Sequence, residues 1–467
     1  MSPTAATQSE VVALIHFRHL HRRAGSFLLP ADIPPAPRSS ADASSPVRGN
    51  GTRLERLGNA YDRRRGGRTV VLAWVVTRLL ILLVLAAAER FVVGDVFYYW
   101  RKINALSDVG LAQTLNEYPT PVTWILWLPY GVTGGSRVGY LVAFIVFMMA
   151  LDAAFTWMLW RQERRHDFAI DFWLVFVLLI GPLSYLRFDV LPAVLAGGAL
   201  LAARRRPWLS GAFIGLGAAV KLWPALLFPT ILARRTGRMA ATWGFVAVGF
   251  GLALVSLLTG GWSRLVSPLT WQSGRGLQIE SIWATPLMLA RAVQPSRWVV
   301  DISRFQAYEI FGAGVGGWLA VSNVATVLGL MVIVALYLRA FRSPEPSAVA
   351  LGLCILATVA IMTVTNKTLS PQYLLWMGGP MAALLVARRS SDPEESRMVG
   401  RLAAQLLVLA LLTHLVYPLF YDGFLGRLGH PMIVASTLVT ALRNVALVLF
   451  TVEVCRLAWR ALPRSPG

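Results

Sequence analysis

Residues 69–88 read TVVLAWVVTRLLILLVLAAA. A helix needs about 20 mainly apolar residues to cross the hydrocarbon core of a bilayer, and this run meets that length. Comparable runs recur at 240–259, 317–338, 347–365, 371–388, 401–421 and 431–455. The 467-residue chain is 56% hydrophobic and 14% charged, with mean hydropathy +0.58. Soluble domains carry more charge than this. The fold class that follows is an all-α polytopic membrane protein, with about 10–13 transmembrane helices at the usual span length.

The first run leads into Gly94-Asp95-Val96-Phe97-Tyr98-Tyr99-Trp100. Asp95 is the only acid there, and aromatic rings follow it. A carboxylate just past a span can act as a base, pair with a cation, or lie in the wet headgroup layer. Ionisable groups beside spans are functional candidates because they are costly there.

The net charge of +21 would suggest nucleic acid in a soluble protein. Here the arginines flank apolar runs, as cytoplasmic membrane flanks do. Arg63, Arg64, Arg65 and Arg68 precede the first span, so the N-terminus reads as cytoplasmic and Asp95 as extracytoplasmic. Arg234, Arg235 and Arg238, then Arg339 and Arg342, Arg388 and Arg389, and Arg456 and Arg460 all fall on the cytoplasmic side of the same count. Between residues 95 and 234 two topologies compete. One treats 121–136 as a span and 209–233 as one helix, which places Arg161, Arg164, Arg165 and Arg204 to Arg206 outside. The other makes 121–136 a short re-entrant segment and splits 209–233 at Lys221-Leu222-Trp223-Pro224. It puts spans at 170–187 and 190–203, and brings every Arg cluster inside. Pro224 favours the break, because proline removes a helix hydrogen bond.

Of 44 basic residues only three are lysines: Lys102, Lys221 and Lys367. The second topology gathers all three on the extracytoplasmic side. Asp95, Asp189, Asp422 and the polar loop Gln272-Ser273-Gly274-Arg275-Gly276-Leu277-Gln278-Ile279-Glu280-Ser281 join them. That loop lies within 260–316, where tryptophans suit an interfacial helix. Asn366-Lys367-Thr368-Leu369-Ser370-Pro371-Gln372 opens another span, with Pro371 suited to a first helical turn.

Residues 1–68 are too polar to bury a core and read as a disordered cytoplasmic tail, with a short interfacial helix at 10–29 as one option. Residues 69–460 form the transmembrane domain, and 461–467 a cytoplasmic tail. Cys354 and Cys455 lie in apolar runs and imply no disulfide framework. The six histidines show no metal-ligand spacing, so no metal site is expected.

These features together resemble a known family: the outer-loop Asp95, Glu117-Tyr118-Pro119, the KLWP hinge, the RGLQIES loop and the NKTLSPQYLLW helix. The chain is similar, over 69–455, to the GT-C superfamily of polyprenyl-phosphate-sugar-dependent glycosyltransferases, and most of all to bacterial glycosyltransferase family 87. At Tyr118-Pro119-Thr120-Pro121 the family has adjacent prolines, and this chain departs from it. The resemblance implies a GT-C-like bundle in a bacterial plasma membrane, with an extracytoplasmic active site and both termini cytoplasmic. It implies a lipid-linked sugar, mannose first, moved to a lipid or glycan hydroxyl with inversion. Asp95 is then the general base. Lys221, Arg275 and Lys367 are the candidates for the donor phosphate. Tyr98, Tyr118, Arg187, Asp189, Gln278, Glu280 and Gln372 are the candidates for sugar or acceptor. The partners are the polyprenyl-phosphate donor, the acceptor and membrane lipids, with no cofactor and no nucleic acid. A transporter or flippase is the rival reading, because broken helices and intramembrane charges also describe transporters. No convincing internal repeat supports it.

Overall fold

The computed structural model describes residues 66–162, 168–388 and 393–462. The tail up to residue 65, its 10–29 segment, Arg164, Arg165, Arg389 and residues 463–467 lie outside these. Among the described residues the regular structure is helical apart from one β-hairpin. Seven helices among the described residues are long and apolar enough to cross a membrane. They are α1 (Gly67–Ala87), α4 (Arg137–Gln162), α8 (Arg238–Ser273), α10 (Val315–Arg342), α11 (Ala348–Thr365), the run Pro393–Leu419 and α14 (His430–Ala461).

The remaining apolar helices are short, and several lie deep in the protein. They include α3 (Thr120–Val132), α5 (Ala169–Ile180), α6 (Val190–Ala202), α7 (Pro207–Val220) and α12 (Leu375–Ala387). At 1.5 Å per residue, 12–14 residues reach only about 20 Å, short of a full bilayer core. The segments 170–187 and 190–203, read as spans from sequence, are therefore shorter than a span. Gly181 at φ 72° and Pro182 end α5 early, and a single turn, Leu183–Leu186, follows. The hinge after α7 falls where the sequence places it: Lys221 is extended at φ −141° and ψ 136°, and a 3-10 turn, Trp223–Leu227, begins beyond it.

Close helix contact is possible because glycines sit at the crossings, as is common between membrane helices. A Cβ on Gly379 of α12 would lie 2.0 Å from the Ala193 carbonyl oxygen of α6, so only glycine fits.

One polar knot lies inside this apolar packing. Asp152 of α4 is fully buried and accepts from Trp74 Nε1 (2.8 Å), Arg78 Nε and Nη2 (2.8 Å each), Trp173 Nε1 (2.7 Å) and the Tyr185 hydroxyl (2.7 Å). These donors come from α1, α5 and the turn that precedes Arg187. Breaking a buried ion pair by removing one partner typically costs about 3–5 kcal/mol, whereas two well-packed apolar replacements can be neutral. Arg78→Leu should therefore lower thermal stability in detergent sharply, and Arg78→Leu/Asp152→Leu should recover most of the loss. A single variant as stable as wild type would show that the knot holds nothing.

Candidate active site

A cavity of about 710 Å³ opens where the short helices end. Asp95 enters it from the first turn of α2 (Gly94–Asn104), a position that favours an anion. The α5–α6 turn brings Arg187 opposite, and the two form an ion pair, with the carboxylate 30% exposed to the cavity. Removal from bulk water raises the Asp95 pKa, and Arg187 opposes that rise. A carboxyl group shifted upward is a stronger base than an ordinary aspartate once ionised.

Lys221 lines the cavity at the hinge but already has partners. Its Nζ donates to Asp189 at 2.6 Å, and it lies 4.9–5.8 Å from the rings of Tyr118, Phe188, Tyr373 and Trp376. Asp189 is buried, also accepts from Trp376 Nε1 at 2.7 Å, and does not line the cavity. Its carboxylate pairs with Lys221 and fixes the hinge.

The polar loop after α8 forms another wall. Helix α8 kinks at Gly261, where φ is 76° and ψ 175°, and runs on to Ser273. Trp262 and Leu269 on that last stretch are exposed, whereas Trp298 further along the loop is buried. Arg264, on the same stretch, is buried, and backbone carbonyls take its donors. It donates to the carbonyls of Leu111, Thr114, Leu115 and Tyr118 at 2.8–3.2 Å. These bonds order the segment that presents Glu117 and Tyr118 to the cavity. Tyr98 donates to Glu117 at 2.6 Å beside them.

Arg275 lines the cavity, and its Nε has no hydrogen-bond partner among the described residues. Gln278 donates to Ser370 at 3.0 Å, which links the RGLQIES loop to the SPQ turn. Gln372 lines the cavity from that turn, with its Oε1 unpartnered. Lys367 does not line the cavity. It donates to the Ser273 carbonyl at 2.9 Å, and burial lowers its pKa. It thus staples the end of α8 behind Arg275.

Glu280 is 1% exposed and lines the cavity, with Oε2 lacking a hydrogen-bond partner. Its carbonyl accepts from Arg443 Nη2 at 3.0 Å and Asn444 Nδ2 at 3.2 Å, so α14 fixes its backbone.

Several lining groups were not singled out from sequence. The long loop contains α9 (Thr285–Val293) and an antiparallel hairpin of β1 (Trp298–Ile302) and β2 (Tyr308–Gly312), whose tip lines the cavity with Phe305 and Gln306. Phe305 packs edge-on against Trp271, with ring centroids 5.3 Å apart. Glu309 of β2 accepts from Gly276 N–H at 3.0 Å and shapes the loop at Arg275. Tyr417 and Tyr421 complete the wall. Trp298–Ile302 reads WVVDI, without the apolar–polar alternation that marks a half-buried strand, so the local sequence does not set the hairpin apart from an ordinary loop.

The arrangement is a polar cavity in a polytopic helical membrane protein, with a carboxylate, arginines and unpartnered donors and acceptors facing one space. The glycosyltransferase family 87 model matches residues 116–363, just over half of the chain. The chain belongs to that family, which makes it a membrane glycosyltransferase. No curated protein and no solved structure matches it. Tyr118, Arg187, Asp189, Lys221, Arg275, Gln278 and Glu280 lie within the matched residues, and Asp95, Lys367 and Gln372 lie outside them.

Burial pushes the Glu280 carboxyl up from 4.5 to about 7, against the pull of Arg443, Tyr421 and Arg187. Between those values the folded protein keeps a proton that the unfolded chain has released. Stability from this group is therefore fully present below 4.5 and falls as pH rises to about 7. Glu280→Gln stays neutral, so its melting temperature relative to wild type should climb across that window. A difference independent of pH in thermal unfolding scans would contradict this.

Proposed function

We propose that the protein transfers a sugar from a polyprenyl-phosphate donor to an acceptor hydroxyl, with inversion at the anomeric carbon. The observation that carries this reading is a single cavity shared by the Asp95 carboxylate and an Arg275 guanidinium with an unpartnered nitrogen.

Asp95 takes the proton of the acceptor hydroxyl as that oxygen bonds to the anomeric carbon. The bond from that carbon to the donor phosphate breaks, and its electron pair leaves on the phosphate. Arg275 meets the charge that develops there, with Lys221 adding its field from the hinge. Lys367 contributes at longer range, through the end of α8 that carries Arg275. Arg187 holds Asp95 until the acceptor arrives. Tyr98, Tyr118, Gln278, Glu280 and Gln372 offer hydroxyl, amide and carboxyl groups to the sugar and the acceptor. Asp189 acts indirectly by fixing Lys221. The reaction is written without a metal or organic cofactor, because the leaving group is already a phosphate and needs charge stabilisation alone.

The arginine flanks support an extracytoplasmic cavity with both termini inside a bacterial plasma membrane. Mannose is the first sugar to test, on the family resemblance alone, and a lipid-linked or glycan hydroxyl is the acceptor class.

Purified protein given labelled polyprenyl-phosphate mannose and a membrane lipid extract should label a lipid or glycan. Asp95→Asn should abolish this while leaving the protein folded. Wild-type turnover by Asp95→Asn would overturn the base assignment. Failure with mannose, glucose and arabinose donors alike would overturn the transfer reading.

A further inference from the structure

A second buried acid–base pair lies beside the site, and the proposed chemistry does not use it. Glu89 follows α1 just ahead of the Asp95 helix. Its residue is 1% exposed, and its Oε1 is 2.8 Å from Nε2 of His414. Its Oε2 has no hydrogen-bond partner among the described residues. The Glu89 N–H is bonded to the Val84 carbonyl, and its own carbonyl accepts from Val92, so its backbone is tied to both flanks of the turn.

His414 ends α13 (Pro393–His414), and the chain leaves helical geometry at Tyr417 soon after. The other edge of the ring faces the backbone carbonyls of Leu179 and Ile180 at the end of α5. The ring also rests on Gly181. A Cβ there would lie 2.2 Å from Cε1 and 2.5 Å from Nδ1 of His414, so this glycine makes room for the imidazole. Gly181 opens the turn through Leu183–Leu186 that delivers Arg187.

One imidazole therefore joins three chain segments. The first leads to Asp95, the second to Arg187 and the third to Tyr417, and all three of those residues line the cavity. Arg187 and Asp95 meet only as well as the two turns behind them are held, and an error of about 1 Å in such a site can cost about 100-fold in rate.

We propose that His414 is a positioning residue for transfer: through Glu89 and the Gly181 turn it sets how Asp95 and Arg187 face each other. This rests on the assignment of Asp95 as the base. His414 and Glu89 do not line the cavity, so they act through the turns they hold.

The test is steady-state transfer kinetics on detergent-purified full-length variants, with melting temperature measured in parallel. Glu89→Leu/His414→Leu replaces both polar partners with apolar ones, so no buried charge is stranded and the fold is kept. The expected result is a kcat at least about tenfold below wild type, with donor KM within about twofold. His414→Gln, which retains an N–H able to reach Glu89, should restore kcat to within about threefold of wild type. A double variant that folds and turns over like wild type overturns the proposal. So does a kcat loss that merely follows the folded fraction, or one that His414→Gln fails to rescue. Asp95→Asn run alongside separates the two readings. If it retains turnover, the base assignment fails. If it is inactive while the double variant has wild-type kcat, only the role of His414 fails.

Discussion

A helix that stops halfway through a bilayer leaves carbonyl and N–H groups without partners, and lipid cannot satisfy them. The short helices α3, α5, α6, α7 and α12 therefore need protein or a water-filled cavity at their broken ends. Longer helices surround them, and the cavity opens at those ends. Much of the polar chemistry of this protein follows from that constraint. The hinge at Lys221 and the turn at Gly181 are both helix ends, and both present cations to the same space. A cavity that satisfies broken backbone in this way is also a place where a sugar and a phosphate can be bound.

Arginine does much of the structural work around it. Arg264 gathers four carbonyls of the segment before α3, Arg291 donates to those of Phe424 and Leu425, and Arg443 to that of Glu280. The planar guanidinium, with its five donors, can bind several carbonyls at once, which a lysine ammonium does less well. Asp152 performs the opposite role, as one carboxylate that accepts from two helices and a turn. Other buried polar groups face the cavity. Arg187 Nε, Arg275 Nε, Glu280 Oε2 and Gln372 Oε1 are buried beside it and accept or donate no hydrogen bond among the described residues, although Glu280 Oε2 is ion-paired with Arg443 at 3.8 Å. Unpaired buried polar groups are costly, and those that face the cavity are ones a polar ligand could satisfy.

The features legible in the sequence were those with a local physical signature. Long apolar runs named most of the long helices, although 170–187, 190–203 and 371–388, also read as spans, hold only short ones; proline after Lys221 named the hinge, and a polar stretch with Arg275 and Glu280 named a cavity wall. Lys367 looked equivalent to Lys221 because sequence shows its charge but not its reach. In the fold it bonds to the carbonyl of Ser273 and not into the cavity. Asp189 looked like a substrate ligand, yet it is consumed by Lys221 and Trp376. Arg78, Asp152, Glu89 and His414 are single polar residues in or beside apolar runs; Arg78 and Asp152 meet across 74 positions, Glu89 and His414 across 325. Pairing over such distances has no periodic signal. The hairpin was hidden because its strands are only five residues each.

The most direct test of the account is an experimental structure with a non-transferable polyprenyl-phosphonate sugar analogue bound. The account predicts the phosphonate on Arg275. It also predicts the sugar's anomeric carbon turned towards Asp95, with room for one acceptor hydroxyl in hydrogen-bond reach between them. A headgroup held outside this cavity, or one whose anomeric carbon faces away from Asp95, would contradict it.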